Sequence, residues 1–189
     1  MVFHTFTYTF EEQCGPSQYD DELGEEYFDT DEFEWEYDVS EARIAEALIA
    51  IPGASKYFKG GIVSYTDEVK ERLLSVDHSL LEEKTAVCEE VAKAMVKGAC
   101  SALNTDYAIA ATGIAGPGGG TKDIPVGTIW IACGTPDSVR TLKVSEDFGR
   151  DINLAIATNK AMQLFCDFLN EEEGERTENE PEESIFGKK

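Results

Sequence analysis

Hydrophobic residues in the middle of the chain follow two alternating periodicities, one typical of helices and one typical of strands. Apolar side chains recur every three or four positions at 40–51 and at 86–103, which predicts an amphipathic helix in each segment. The apolar run at 106–112 predicts a strand buried on both faces, and 128–133 predicts a further strand. The same patterns predict a strand at 62–65, a helix from Thr66 or Asp67 to about Leu74, a strand near 139–145 and a helix at about 151–169.

Strands that alternate with helices in this way are typical of α/β proteins. The order of the predicted elements favours a three-layer α/β/α sandwich with a mixed sheet. The 189 residues, of which 42% are hydrophobic, suffice for one domain with short appendages. No apolar run is long enough to span a bilayer, and the first residues lack the pattern of a signal peptide. We therefore expect a soluble, cytoplasmic protein.

The N-terminal residues carry a different pattern, in which aromatic and acidic side chains are interleaved. Alternation at 2–10 and at 33–37 predicts two strands, the second of them half-exposed. The acidic segment between them, 11–32, contains a Gly-Pro pair and predicts a loop or a poorly ordered link.

The formal net charge of -22 is concentrated at the two ends of the chain. Residues 1–38 contain 13 acidic side chains and no lysine or arginine, and 171–189 contain 8 acidic and 3 basic side chains. Such a field repels nucleic acid and anionic membrane surfaces, so neither is an expected partner. The sequence thus predicts an acidic aromatic segment at 1–37, an α/β domain at 38–170 and an acidic disordered tail from 171 onward.

Cysteine and histidine usage argues against a disulfide framework and against a metal site. The cysteines are odd in number and widely spaced, which favours free thiols in a reducing compartment. They are Cys14, Cys88, Cys100, Cys133 and Cys166. Only His4 and His78 are available as imidazole ligands, so a zinc site would need ligands from distant segments, and we expect no metal.

The segment 112–121 holds five glycines and one proline in ten residues. Glycines let backbone N–H groups approach an anion closely, so this loop could cradle a phosphate. It is not a P-loop, because Thr121 precedes Lys122 and no helix follows, and its glycine spacing differs from a dinucleotide-binding fingerprint. The alternative is a tight crossover or hairpin whose glycines only satisfy local geometry.

Two consecutive segments closely resemble the signature of the CinA C-terminal domain family. They are the glycine segment at 111–121 and Pro-Val-Gly-Thr-Ile-Trp-Ile-Ala at 125–132. Further blocks match in the expected order. They are Pro52-Gly53-Ala54-Ser55, Phe58 with Gly60-Gly61, Val63-Ser64-Tyr65 with Lys70, Ala86-Val87 with Val91-Ala92, and Phe148-Gly149-Arg150. The resemblance covers roughly 38–169.

The resemblance implies an α/β/α sandwich without a metal or other cofactor, a bound small-molecule nucleotide and often a homodimer. It also implies nicotinamide-nucleotide amidase activity, which converts nicotinamide mononucleotide to nicotinate mononucleotide and ammonia. Among the matching positions, Lys70 corresponds to the family's base and Tyr65 supports proton transfer. The residues expected to touch the ligand are Thr112, Gly113, Gly116 and Arg150.

The segment before Pro52 departs from the family pattern. The family has a nucleophilic serine in Glu-Ser-Cys-Thr-Gly-Gly, and an ungapped count back from Pro52 places Asp38 at that serine, with Glu41 and Ala42 at the two glycines. Amide hydrolysis by this route requires an oxygen nucleophile, a base and oxyanion donors. A carboxylate attacks an unactivated amide poorly, so the leading hypothesis is a domain that keeps its nucleotide pocket without amidase activity.

Two other hypotheses remain open from the sequence. An active amidase could use a substitute nucleophile: Ser40 after a register change, Asp38 itself or Cys14. Alternatively, the domain is an interaction module whose acidic aromatic N-terminal segment covers the pocket or recruits a partner. Without the family match, Tyr65 and Lys70 would be ordinary packing and surface residues, and Arg150 could equally cap the last helix.

Overall fold

In the computed structural model, the described residues are 18–20, 25–27, 39–50 and 52–179, with side chains described at 43–50 and 52–172. The first two ranges form an antiparallel hairpin of β1 (Gln18–Asp20) and β2 (Glu25–Tyr27), which belongs to a compact unit of its own. Both strands fall within 11–32, where a loop or poorly ordered link was predicted; three-residue strands are too short to show a period-2 pattern. The strands predicted at 2–10 and 33–37 lie outside the described residues.

The described residues from 39 onward belong to a second unit, in which helices and strands follow the predicted order. Its elements are α1 (Val39–Ile49), a 3-10 turn (Ala54–Lys56), α2 (Asp67–Leu74), α3 (His78–Lys84), α4 (Glu89–Leu103), β3 (Ala108–Gly113), β4 (Thr128–Gly134), β5 (Val139–Ser145) and α5 (Arg150–Asn179). β3 and β5 each pair antiparallel with β4, which therefore lies at the centre of the sheet.

Two hydrophobic cores lie on the two faces of this sheet, because successive residues of a strand point to opposite faces. Ile109 and Ala111 of β3 pack with residues of α1 and α5, whereas Ala108 and Ala110 pack with residues of α2, α3 and α4. Helices thus cover both faces, and the predicted three-layer α/β/α sandwich is confirmed. The described strands pair antiparallel, so the mixed sheet stays a prediction.

The segment before α2 differs from the prediction. Residues 62–65 were expected to form a strand, but only Ile62 makes an isolated bridge. The chain turns within four residues into the start of α2, where the Thr66 hydroxyl accepts a hydrogen bond from the N–H of Val69. The helix α3 was not predicted, because its seven residues bury only Leu81 and show no periodicity.

The last helix is longer than its pattern predicted. α5 continues past Leu169 to Asn179, so the disorder predicted from 171 onward does not hold up to 179, and 180–189 lie outside the described residues. Two contacts hold the additional turn: Arg140 pairs with Glu171, and the Tyr107 hydroxyl donates to Glu172 at 2.7 Å. None of the described helices, α5 included, is long and apolar enough to cross a membrane.

A close approach between α2 and α4 fixes the position of Lys70. Lys70 and Leu74 form the buried face of α2, which lies against α4. At Gly98 of α4, an added Cβ would lie 1.8 Å from the backbone oxygen of Leu74, so only glycine allows this packing. The Lys70 side chain is therefore held inside the layer formed by α2 and α4.

Candidate functional site

The glycine loop begins at the end of β3, where contacts inside the fold hold Thr112 and Gly113. The Thr112 hydroxyl donates to the carbonyl oxygen of Ala86 at 2.8 Å, and the residue is buried. This hydrogen bond ties the start of the loop to the segment before α4, so the hydroxyl is engaged inside the fold. A Cβ on Gly113 would lie 2.6 Å from the Cα of Ile129, so the neighbouring strand requires glycine here.

Backbone hydrogen bonds close the base of the loop. The N–H of Ile114 donates to the Thr128 oxygen at 2.9 Å, and the N–H of Gly127 donates to the Ile114 oxygen at 2.8 Å. Gly127 also lies against the β5–α5 turn, because an added Cβ would be 2.4 Å from the Glu146 oxygen. The two strands and the following turn thus hold both ends of the loop together.

Val126 packs into the interior of the loop between two of its glycines. A Cβ on Gly116, whose φ is +99°, would lie 2.6 Å from the Val126 side chain, and one on Gly120 would lie 2.6 Å from the Val126 nitrogen. Gly118, at the tip, has open space around its Cα. Glycine is therefore required at the folded sides of the loop, while the tip is free to approach a ligand.

The start of α5 holds two adjacent carbonyl groups of the loop. Arg150 donates from Nη1 to the Gly116 oxygen at 2.9 Å, and Asn153 donates from Nδ2 to the Ala115 oxygen at 3.0 Å. The structure thus brings two predicted ligand residues, Gly116 and Arg150, into direct contact. Arg150 is also the first residue of α5, so it lies at the helix start as the alternative interpretation expected.

Sequence reasoning missed Asn153. It is only 1% exposed, and it lies one turn before Ala157 and two turns before Ala161 on the buried stripe of α5. A polar residue at a core position of an amphipathic helix is the signal that could have identified it, because buried amides are retained only where they are hydrogen-bonded.

Several N–H groups on the rim of the loop have no backbone partner. Within the described part of the chain, the N–H groups of Gly116, Gly118, Gly119 and Gly120 make no hydrogen bond. Successive backbone N–H groups in a turn form a concave binding site for anions. The loop therefore leaves these N–H groups available to an anion.

Lys70 and Tyr65 lie together at the start of α2, which packs on α4. The Lys70 side chain is 6% exposed, and its Nζ donates to the Tyr65 backbone oxygen at 3.3 Å. The same Nζ lies 3.7 Å from Oδ1 of Asp67. Tyr65 itself is 67% exposed, so it meets Lys70 through its carbonyl group, and its phenol ring faces outward.

The polar contacts of Lys70 lie within the short segment 65–67 that leads into α2. The Asp67 contact was not anticipated from the sequence, where Asp38 was the acidic neighbour considered. Lys70 thus donates a hydrogen bond to the Tyr65 oxygen and lies within ion-pair distance of Asp67.

The nucleophile position is described only in part. Asp38 and Cys14 lie outside the described residues, and Ser40 lies in the first turn of α1, where the backbone alone is described. One turn on, Arg43 donates to the Asp151 backbone oxygen at 3.2 Å and lies 3.6 Å from the Asp151 carboxylate. The first half of α1 is therefore adjacent to the start of α5, which holds the glycine loop.

Two side chains near these elements have shifted pKa values. Partial burial raises the pKa of the Cys88 thiol, which stands at the N-terminus of α4. The Asn153 amide and the Gly149 N–H donate to Asp147 and lower the pKa of its carboxyl group. Among the residues described here, no group of three or more His, Cys, Asp or Glu side chains could hold a metal ion.

The fold is an α/β/α sandwich whose β3–β4 loop is closed against its last helix. A model of the CinA C-terminal domain matches residues 42–169 of the chain. The chain therefore belongs to the CinA C-terminal domain family, as its motifs predicted.

Related proteins and solved structures agree with this assignment. A CinA-like protein of Gloeobacter violaceus is 41% identical over 123 residues, which make up 64% of this chain and 29% of that protein. A CinA-like protein of Geobacter sulfurreducens is 51% identical over 89 residues, covering 47% of this chain and 22% of that protein. The chain thus spans under a third of the length of these curated relatives.

Two crystal structures show the same fold. A competence-damaged protein (CinA) superfamily protein from Escherichia coli has a TM-score of 0.63 at 34% identity, covering 66% of this chain and 72% of that one. The competence/damage inducible protein CihA from Agrobacterium tumefaciens has a TM-score of 0.61 at 34% identity, covering 66% and 78%.

Proposed function

We propose that this chain is a CinA-type domain that binds a pyridine nucleotide such as nicotinamide mononucleotide without hydrolysing its amide. One observation carries the proposal: the glycine loop is held by α5 and keeps N–H groups available to an anion, whereas the position that corresponds to the family's serine holds Asp38. The loop supports binding, and the carboxylate at the serine position supports the absence of turnover.

Binding follows from the loop. Four glycine N–H groups are available on a segment whose ends and carbonyl groups are held by hydrogen bonds to β4 and α5. Donors that are already oriented do not lose conformational freedom when the ligand arrives, which favours affinity. The phosphate of a mononucleotide carries the charge that these donors complement.

Inactivity follows from what hydrolysis requires. The tetrahedral intermediate forms only if a nucleophilic oxygen loses its proton to a base as it attacks the amide carbon. In this chain the sequence position of the serine holds Asp38, so the alcohol oxygen that this route requires is missing there.

An active amidase that uses Ser40 is the second candidate. It is supported by the position of Ser40 in the first turn of α1, since Arg43 of the same helix contacts the start of α5. In this reaction the Ser40 oxygen would attack the amide carbon and pass its proton to Lys70, and the tetrahedral intermediate would break its C–N bond as Lys70 returns that proton to the leaving ammonia. Water would then hydrolyse the acyl-enzyme to nicotinate mononucleotide and restore the Ser40 hydroxyl.

Two assays on the same preparations separate these candidates. Calorimetric titration with nicotinamide mononucleotide measures binding, and ammonia release measures turnover. The proposal expects binding without ammonia, both in the wild-type protein and in Lys70→Ala. As a matched control, Lys97→Ala removes an exposed lysine of α4 and should change neither result.

Ammonia release that disappears in both Ser40→Ala and Lys70→Ala would replace the proposal with the second candidate. An absence of heat at millimolar nucleotide would exclude nucleotide binding and leave the interaction role.

A further inference from the structure

We propose that Asn153 is a positioning residue for the glycine loop. Its side chain holds the loop so that the N–H of Gly116 points toward the ligand. The inference rests on the proposed function, because it assigns Asn153 to the nucleotide site described above. Asn153 lies in the first turn of α5, and its side chain is the buried amide that joins this helix to the loop.

The side-chain hydrogen bonds of Asn153 join the glycine loop to the turn between β5 and α5. Its Nδ2 donates to the Ala115 oxygen at 3.0 Å and to Oδ1 of Asp147 at 2.9 Å, while its Oδ1 accepts from the N–H of Phe148 at 2.9 Å. Two acceptors and one donor surround the amide, so only one orientation of the amide satisfies them all.

The hydrogen bond to Ala115 sets the direction of the next N–H. In a planar trans peptide, the carbonyl group of one residue and the N–H of the next point to opposite sides. Because Asn153 holds the Ala115 carbonyl toward α5, the N–H of Gly116 points away from α5 and stays free for a ligand.

Arg150 holds the next carbonyl group of the same segment. It donates to the Gly116 oxygen at 2.9 Å, so the first turn of α5 holds two successive carbonyl groups. A leucine at position 153 would fill a similar volume against the core of α5, but it could not hold the Ala115 carbonyl. The amide therefore adds an orientation that hydrophobic packing cannot provide.

The two hydrogen bonds of Nδ2 can be separated by exchanging side chains between positions 153 and 147. In Asn153→Asp the side chain can no longer donate to Ala115 or to Asp147. Adding Asp147→Asn supplies an amide that can donate to the new carboxylate and still accept from Gly149, so the link within the turn is restored. The hydrogen bond to the Ala115 oxygen remains absent in the double variant.

The wild-type protein, the two single variants and the double variant are compared by amide hydrogen exchange and by calorimetric titration with nicotinamide mononucleotide. Exchange in the loop at 113–127 is measured relative to exchange in the core of α4, which reports global opening. We expect loop exchange to be about tenfold faster in Asn153→Asp and to stay fast in the double variant, with nucleotide affinity about tenfold weaker in both, as for one lost hydrogen bond.

Three results would overturn the assignment. These are equal acceleration of the loop and of α4, unchanged loop exchange in Asn153→Asp, and restored loop protection in the double variant. The exchange comparison needs no ligand, so it decides the role of Asn153 even if the wild-type protein binds no nucleotide. An absence of nucleotide binding by the wild-type protein would overturn the proposed function instead.

Discussion

Gly98 and Leu74 hold α2 against α4 so closely that a Cβ on Gly98 would lie 1.8 Å from the Leu74 backbone oxygen. The neighbouring atoms are also backbone, at 2.6 and 2.8 Å, and backbone cannot move aside as a flexible side chain could. Because Lys70 is on the buried face of α2, this packing also fixes the Lys70 ammonium relative to α4.

Replacing Gly98 with alanine should therefore push the two helices apart. We expect Gly98→Ala to lower the free energy of unfolding by about 3 kcal/mol, the upper range for overpacking a core. Urea denaturation measures this loss. Gly118→Ala is the matched control, since no atom lies within 4 Å of its added Cβ, and it should change stability little. Equal stability of the two variants would contradict the close packing of α2 on α4.

The cysteines should differ sharply in their reactivity. Burial raises the pKa of the Cys133 thiol to about 12, so almost no thiolate is present near neutral pH. Cys166, on the surface of α5, is exposed. In a Cys14→Ser background, a thiol reagent should modify Cys166 in the folded protein, whereas Cys133 should react only at the rate of unfolding. Mass spectrometry of the labelled peptides identifies each site, and early labelling of Cys133 would contradict its burial.

The stability of the protein should depend on the protonation of His78. The hydrogen bond from His78 to Glu71 at 2.7 Å raises the pKa of the imidazole above its ordinary value of 6.5, with a further contribution from Glu82. A raised pKa in the folded state stabilises the protein below the unfolded pKa, and this stabilisation is lost as the pH rises through the folded pKa.

We therefore expect His78→Gln to destabilise the protein at about pH 5.5 and to have little effect at about pH 9. Urea midpoints of the variant and the wild-type protein, compared at both pH values, measure this difference. A second check is the pH titration of the His78 ring proton by NMR, which Glu71→Gln should move to lower pH. The same loss of stability at both pH values would show that the imidazole acts only by packing.

The sequence predicted the long elements of the α/β domain well, because their periodicity reflects burial. The stripe of α4 and the small apolar strand β3 both correspond to buried faces in the structure. Short elements escaped the prediction: α3 buries one residue, and the bridge at Ile62 makes no strand. In these segments tertiary contacts, rather than local pattern, decide the structure.

The candidate site was predictable only where composition marks it. The glycines of the loop are visible in the sequence, but the contact of Arg150 with Gly116 depends on the turn before α5. The pairing of Lys70 with Asp67 follows from their i, i+3 spacing once α2 is known to be a helix. The contact of Asn153 with Ala115 joins residues far apart in sequence, so no local pattern could assign it.

Proton NMR of nicotinamide mononucleotide mixed with the full chain tests the central claim most directly, since one spectrum reports both binding and conversion. We predict that the pyridine ring resonances shift and broaden in proportion to protein concentration, while no resonances of nicotinate mononucleotide appear over a day. Steady accumulation of nicotinate mononucleotide, abolished by Lys70→Ala, would show that this domain hydrolyses the amide and would contradict the account.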